Sequence, residues 1–390
     1  MRKRVLIAGL GDTGILAAIA LSKDFDVIGV TPKPGMISGQ FVGARLAAPE
    51  QWKKTAFMDF RQYKGLDNVR VIQGLVKSID MDRSTATLQT VQHETLHEPY
   101  DALLIASGVS NGFWRNNDMD GLSVAEAKID AASKKVATAD ILAVVGGGAT
   151  GVSIASNVAE QYPDKQIHLF YSRDALLPAY HQRVQSKIRA HLLKQHIRLH
   201  PHHRAKISTE FSYDQLTSDP IHWETGQPPF KADLVVWAVG RVSPNNAFIP
   251  TQMLDEQGFV KVDSTLRVIG LRNVFAVGDI AASDPNRSSA RNFGYDIVAH
   301  NIRTFLMGGS EAKMKIYKAS PHRWGEILGS QTSGLQLFTP KGRTITIPKW
   351  LVDRLLTPVV EHQFIYKGVR TKDEVQALKM QPSSELNEPT

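Results

Sequence analysis

Two glycine fingerprints of one kind, Gly9-x-Gly11-x-x-Gly14 and Gly146-x-Gly148-x-x-Gly151, each lie between an apolar strand-like run and an apolar helix-like run. A strand that turns tightly into a helix aims free backbone N–H groups and the positive end of the helix dipole at whatever lies beyond the turn. Only glycine lets that backbone come close to a pyrophosphate. Glycine-rich turns also arise where a helix merely packs on a strand, but here the context repeats. Val5-Leu6-Ile7-Ala8 leads into the first turn and Ile15 to Leu21 follows it, whereas Ile141 to Val145 leads into the second and Val152 to Ala159 follows. A further apolar run comes after each, Val27 to Val30 and Ile167 to Tyr171, at the spacing of a βαβ unit. Two such turns imply two dinucleotides.

A chain of 390 residues has room for two or three domains. Residues 1–112 read as a first nucleotide-binding unit, closed by the buried run Tyr100 to Ile105 and the small-residue turn Ala106-Ser107-Gly108. Residues 113–243 read as a second, closed in the same pattern by Asp233 to Ala238 with Val239 and Gly240, so the chain carries an internal repeat. Between them Asn111 to Ser123 has the composition of a linker. Residues 244–310 lack a fingerprint but contain an apolar run ending in Gly278-Asp279 and a helical stretch from Ala290 to Leu306. They are expected to return to the first unit as its last strand and helix. Residues 311–380 alternate glycine with apolar or aromatic positions, as strands of a smaller domain would, and 381–390 form a polar tail expected to be disordered. The expected fold class is α/β: two Rossmann-like dinucleotide-binding domains plus a small C-terminal α+β domain.

The chain has no cysteine, which excludes disulfides, cysteine metal sites, iron–sulfur clusters and a thiol relay. No apolar run approaches the roughly 18–20 residues of a membrane span, and the basic start Met1 to Arg4 leads into a first strand rather than a secretory signal. The expected compartment is cytoplasmic. The net charge of +8 is scattered, as on a solvated surface, and marks no specific nucleic-acid site. His200-Pro201-His202-His203 lacks a carboxylate at ligand spacing and reads as a polar loop end, so no metal site is expected. Ile347 to Leu356 carries apolar positions at helical spacing with Trp350 and basic residues. It reads either as a short amphipathic helix packed on the third domain or as an interfacial anchor, so peripheral membrane contact stays open, as does a homodimer.

Taken in order, two fingerprints, two strand-to-glycine turns and a late Val-Gly-Asp, the chain resembles the two-dinucleotide-binding-domain flavoproteins related to glutathione reductase, over about residues 1–310. The segments Val145 to Val152, Gln161 to Lys165, Trp52 to Phe57 and Gln73 to Val76 look most like the apoptosis-inducing-factor-like and ferroptosis-suppressor oxidoreductases, with the type II NADH:quinone oxidoreductases as near relatives. The resemblance implies FAD contacts at Gly9, Gly11, Asp12, Thr13, Gly14, Thr31, Arg45, Lys54, Val76, Ala106, Ser107, Gly108, Gly278, Asp279 and Ala290. It implies NADH or NADPH at Gly146, Gly148, Ala149, Thr150, Gly151, Tyr171, Ser172, Arg173, Val239 and Gly240.

Two positions depart from that pattern. Thr31 stands where the family usually has an acidic residue for the adenosine ribose, a task then left to the threonine, Lys33 or the backbone. Ser153 stands where many relatives place a glutamate near the nicotinamide and flavin, so no catalytic side chain is assigned. The implied function is an FAD-dependent NAD(P)H oxidoreductase passing hydride to FAD and electrons to an external acceptor, a quinone by resemblance. A reductase feeding a soluble partner, as ferredoxin reductases do, and a slow-turnover redox-sensing scaffold are the alternatives.

Overall fold

The computed structural model describes residues 2–39, 41–111, 118–207, 215–240 and 242–380, with side chains through 377. Part of the expected linker and all of the expected polar tail lie outside the described residues.

Four consecutive apolar residues in Arg4–Ala8, with Val5, Leu6 and Ile7 fully buried, mark a strand covered on both faces, as in a parallel sheet. It is an inner strand of a seven-stranded sheet ordered Val274–Ala276, Ala102–Ile105, Arg4–Ala8, Asp26–Thr31, Val69–Asp80, Thr85–Thr90 and Thr95–Pro99. The first five strands pair in parallel, and the last two form an antiparallel meander. From Arg4–Ala8 the chain builds outward one way and then crosses to the other side with Ala102–Ile105. A crevice therefore opens beyond the carboxyl ends of those two strands, where strand order reverses. Residues beyond 244 come back to this sheet. Val274–Ala276 pairs with Ala102–Ile105, and the helix Gly294–Leu306 packs on Asp12–Leu21, fastened by Arg303 Nε donating to Asp24 at 2.7 Å. That helix starts four residues later than its sequence suggests, because Ser288–Ala290 forms a tighter 3₁₀ turn and Phe293 adopts a left-handed φ of 56°.

The second sheet repeats the plan: Arg198–His200, Gln166–Phe170, Ile141–Val145 and Leu234–Trp237 in parallel, then Leu216–Thr217 antiparallel at one edge. Its outer face carries Phe170, Trp223 and Phe230, and His200 and His203 stack into this aromatic layer instead of ending a polar loop. Their rings cover apolar surface that the strand alternation leaves open. The short antiparallel pair Val109–Ser110 and Ser243–Pro244 bridges the two sheets, where Ser107 Oγ donates to Asn245 O at 2.8 Å and Asn245 Nδ2 returns a bond to Ser107 O.

Gly325–Gln331, Gly334–Phe338 and Thr344–Ile347 form a three-stranded antiparallel sheet after these units. It is bolted to the helix Ala149–Gln161 by Asn157 Nδ2 donating to Leu328 O at 2.8 Å and by Thr332 N–H donating to Glu160 Oε1 at 2.6 Å. The segment Ile347 to Leu356 is one end of a longer element, helical from Lys349 and continuing with wide π-type winding through Val352–Ile365. The chain then returns to the first unit through Gly65 N–H to Tyr366 O and Lys64 N–H to Gly368 O.

Candidate functional site

At the two fingerprints the glycines divide the work identically. A Cβ on Gly9 would overlap the carbonyl oxygen of Ala106, and one on Gly14 would overlap that of Gly9; Gly146 stands in the same relation to Ala238, and Gly151 to Gly146. These four let strand, turn and helix touch, and Gly9 and Gly146 also hold φ of 109° and 134°, which side-chain-bearing residues rarely adopt. Gly11 and Gly148, by contrast, would carry a Cβ into open space with no atom within 4 Å. The middle glycine is thus the one left free for a ligand to approach, as a bound pyrophosphate requires.

Beyond the first fingerprint lies a cleft of about 1050 Å³, at the upper end of the roughly 300–1,000 Å³ usual for small-molecule sites. Among the residues expected from sequence, Gly9, Gly11, Asp12, Thr13, Thr31, Ala106, Ser107, Gly108, Gly278, Asp279 and Ala290 line it, and Thr150 and Gly240 bring in the second unit. Asp12 accepts the Gly39 N–H at 3.2 Å, which turns its carboxylate toward the loop beside the helix N-terminus. The Gly278-Asp279 turn is pinned by the Gly278 N–H donating to buried Ser289 Oγ at 2.9 Å. The loop behind it is gathered by Asp284, which accepts from Asn286 N–H, Ser288 N–H and Tyr317 Oη at 2.9 Å each. Burial raises the Asp284 pKa, but those donors outweigh it and hold the carboxyl below its ordinary value. An elongated dinucleotide with its pyrophosphate at Gly11 fits these residues.

Other expected residues lie elsewhere. Arg45 is fully buried beneath the cleft wall, its guanidinium stacked 4.4 Å above the Trp52 ring and donating to Ser38 O. Lys54 is exposed and reaches Gln51, because its helix Pro49–Ala56 turns Gln51, Trp52 and Thr55 to the cleft instead. Val76 sits at a bulge in Val69–Asp80 opposite Leu88, away from the cleft. Gly14, Gly146, Gly148, Ala149 and Gly151 form the turns themselves outside this cavity. Tyr171 is buried in the core while Ser172 and Arg173 are exposed at the end of Gln166–Phe170, and Val239 precedes Gly240 in the second strand-to-glycine turn. Ser153 is buried against Gly43 of the helix Val42–Ala47. A small residue there is what lets the helices of the two units pack in contact.

Sequence reasoning missed the contribution of the C-terminal segment. Glu326, Leu335, Leu337, Val352, Leu356, Val360, Glu361 and Ile365 all face the same cleft. Both glutamates are pushed up to about 7, Glu326 by burial and then by the charge of Glu361 against the opposing pull of Arg291, Glu361 by burial and then by Asp12. The signal was a lone acid in each of two apolar runs, Glu326-Ile327-Leu328 and Val359-Val360-Glu361. Three arginines gather nearby: Arg291 donates to Tyr180 Oη at 3.2 Å, Arg323 to Asn286 O at 3.0 Å, and Arg287 lines the wall. Burial and then Arg291 lower the pKa of Arg323. At the opposite corner Lys33, 4.0 Å from Asp120, stands beside Thr31 where the ribose acid is missing; burial lowers its pKa, with Asp120 and Asp118 opposing.

The pyridine nucleotide-disulphide oxidoreductase family matches residues 3–301. Oxidoreductase OXR1 of Ajellomyces capsulatus is 28% identical over 75% of this chain, which spans 66% of that protein, just under two thirds. Apoptosis-inducing factor homolog B of Dictyostelium discoideum is 27% identical over 87% of this chain and 90% of its own length. Ferroptosis suppressor protein 1 of Xenopus tropicalis is 29% identical over 81% of this chain and 83% of its own. In fold, the ferredoxin reductase for the CYP199A2 system of Rhodopseudomonas palustris superposes with a TM-score of 0.62 at 17% identity, over 86% of this chain and 81% of that one.

Proposed function

We propose, for a chain that belongs to the pyridine nucleotide-disulphide oxidoreductase family, that the cleft couples oxidation of NAD(P)H to reduction of an external quinone. The protein is an NAD(P)H-dependent flavoprotein oxidoreductase, and FAD and a pyridine nucleotide are its cofactors. When bound, the flavin supplies a ring that takes hydride and releases electrons. The chain supplies the rest: Gly11 gives the pyrophosphate its approach, the Gly278-Asp279 turn orients the ribityl chain, and the turn ending in Gly240 brings the second unit to the cleft edge. We take 1–112 with 244–310 as the FAD-binding domain, 113–243 as the NAD(P)-binding domain and 311–380 as the third. With Arg173 exposed at the end of Gln166–Phe170 and no carboxylate at Tyr171 or Ser172 to repel a 2′-phosphate, the site is open to NADPH as well as to NADH.

The observation that carries the quinone reading is the far wall. Leu335, Leu337, Val352, Leu356, Val360 and Ile365 line the cleft with apolar surface suited to a flat apolar acceptor, in a chain with no dithiol to take the electrons. The outer side of the same element suits a lipid surface. Trp350 is 64% exposed, Leu355 47% and Phe364 65%, interleaved with Lys349, Arg354 and Lys367. No described helix is long and apolar enough to cross a membrane, so that contact would be peripheral. Anaerobic bleaching of the flavin by NADH and NADPH in turn, followed by reoxidation with a ubiquinone analogue and, separately, a ferredoxin, tests the reading. Bleached protein reoxidised by ferredoxin but not by the quinone would overturn the acceptor assignment, and failure to bleach would overturn the whole.

A further inference from the structure

Glu326 occupies an unusual position for a carboxyl group. It sits on the strand Gly325–Gln331 in register with Leu337 of the neighbouring strand, half-buried and open to the cleft. No described side chain or backbone group hydrogen-bonds or ion-pairs with it. Arg291, on the loop ahead of Gly294–Leu306, and Glu361, on Val352–Ile365, act on it from the two facing elements, and Asp12, at the first fingerprint helix, acts on Glu361 in turn. A half-buried carboxyl with no hydrogen-bond donor or cation bonded to it is harder to ionise than one in open water, so it holds its proton to higher pH. Such a group in a substrate cleft is an acid poised to give that proton away.

We propose that Glu326 donates the proton that completes reduction of the acceptor, with Glu361 as the positioning residue that tunes it. The proposal rests on the quinone reading above. Hydride from NAD(P)H carries two electrons and one proton, whereas a quinone becoming a quinol takes two electrons and two protons. The second proton leaves the Glu326 carboxyl as its O–H bond breaks and an O–H bond forms on the quinone oxygen. The resulting carboxylate recovers a proton from solvent. Ser153 brings no carboxyl and is buried away from the cleft, and the cleft acid Glu160 is engaged by Thr332, whereas Glu326 on the C-terminal wall has its carboxyl uncommitted. Near neutral pH the group is divided between its two forms, as a donor that must reload requires.

The test separates electrons from protons. Reduced flavoprotein is mixed with a ubiquinone analogue, which needs protons, and with ferricyanide, which takes electrons alone. Glu326→Gln keeps the volume and is expected to bleach normally with NAD(P)H, to reoxidise at least about tenfold more slowly with the quinone, and to match the parent within about twofold with ferricyanide. Glu361→Gln is expected to move the pH midpoint of the quinone step to lower pH, because removing its charge makes Glu326 ionise earlier. In flavin-free protein, infrared titration is expected to show protonated-carboxyl absorption that disappears near neutral pH and is weakened in Glu326→Gln, with the remainder, from Glu361, lost only in the double variant Glu326→Gln/Glu361→Gln. Equal slowing with both oxidants, unchanged quinone reoxidation in Glu326→Gln, an unmoved midpoint in Glu361→Gln, or an undiminished infrared band in Glu326→Gln would each overturn the assignment. A parent protein that bleaches but cannot reduce the quinone marks the failure of the quinone reading instead, and takes this one with it.

Discussion

The free space at Gly11 makes a prediction in which folding and flavin binding part company. At φ −77° and ψ −170° its backbone is one that alanine adopts without strain, and its Cβ would meet nothing within 4 Å. Alanine at a compatible site gains about 0.4–1 kcal/mol by restricting the unfolded chain. It gives back a similar amount at this position, the N-cap of Asp12–Leu21, where glycine is preferred. Gly11→Ala should therefore leave the melting temperature of the flavin-free protein within about 2 °C of the parent. The added methyl nevertheless stands where the pyrophosphate approaches, and overpacking by one methyl costs about 1–3 kcal/mol, or roughly 5- to 150-fold in Kd. Gly14→Ala is the control: its methyl overlaps the Gly9 carbonyl inside the fold, so the flavin-free protein should melt about 2–6 °C lower. Calorimetry of flavin-free material and fluorescence titration with FAD measure the two effects separately. Should Gly11→Ala bind FAD as tightly as the parent, the pyrophosphate does not lie at this turn and the assignment of the first unit falls. Gly148→Ala applies the same reasoning to the second unit, with flavin retained and the KM for NAD(P)H raised.

Four further outcomes follow from particular contacts. Restoring the family glutamate by Ser153→Glu should destabilise the protein strongly, by about 2–4 kcal/mol in chemical denaturation, because the site is closed by Gly43; a neutral result would mean the two helices part easily. The folded-state pKa values of Glu326 and Glu361, at about 7, lie above the unfolded value of 4.5. Their stability contribution is therefore complete below pH 4.5 and lost as pH rises through 7. Glu361→Gln should then melt higher than the parent at pH 8 and level with it at pH 4, which thermal scans across pH would show. Arg173→Glu is expected to raise the KM for NADPH about tenfold or more and leave that for NADH within about twofold, and equal effects would remove Arg173 from the coenzyme site. Flotation with anionic liposomes should be lost in Trp350→Ser/Phe364→Ser while reduction of a water-soluble quinone persists, and unchanged flotation would remove this element from the membrane.

Much of the architecture was legible because its determinants are local. Val5-Leu6-Ile7-Ala8 followed by Gly9, Gly11 and Gly14 specifies strand, tight turn and helix within a dozen residues, and the second copy from Ile141 does the same without help from the rest of the chain. Arg45 and Lys54 show where this stops. A basic residue in a helix has no local signal for which face it will occupy, and packing put Arg45 under Trp52 and Lys54 into solvent. The start of Gly294–Leu306 likewise depended on how Ser288–Ala290 fits beneath Gly278, a contact between distant segments.

By itself, the sequence determined that the chain carries two strand–glycine turn–helix motifs and that no thiol can relay electrons; that the outer glycines of each motif pack while the middle one faces open space was decided by the fold. Tertiary structure alone decided what closes the site. Glu326 and Glu361 are more than three hundred residues from Gly11, and the apolar runs they sit in do not say that they meet. They become a pair of acids with raised pKa values facing one cleft only because the C-terminal sheet is bolted to Ala149–Gln161 and the segment after it folds back to Gly65. A carboxyl takes its pKa from what surrounds it, and those surroundings exist only once the three parts of the chain have packed together.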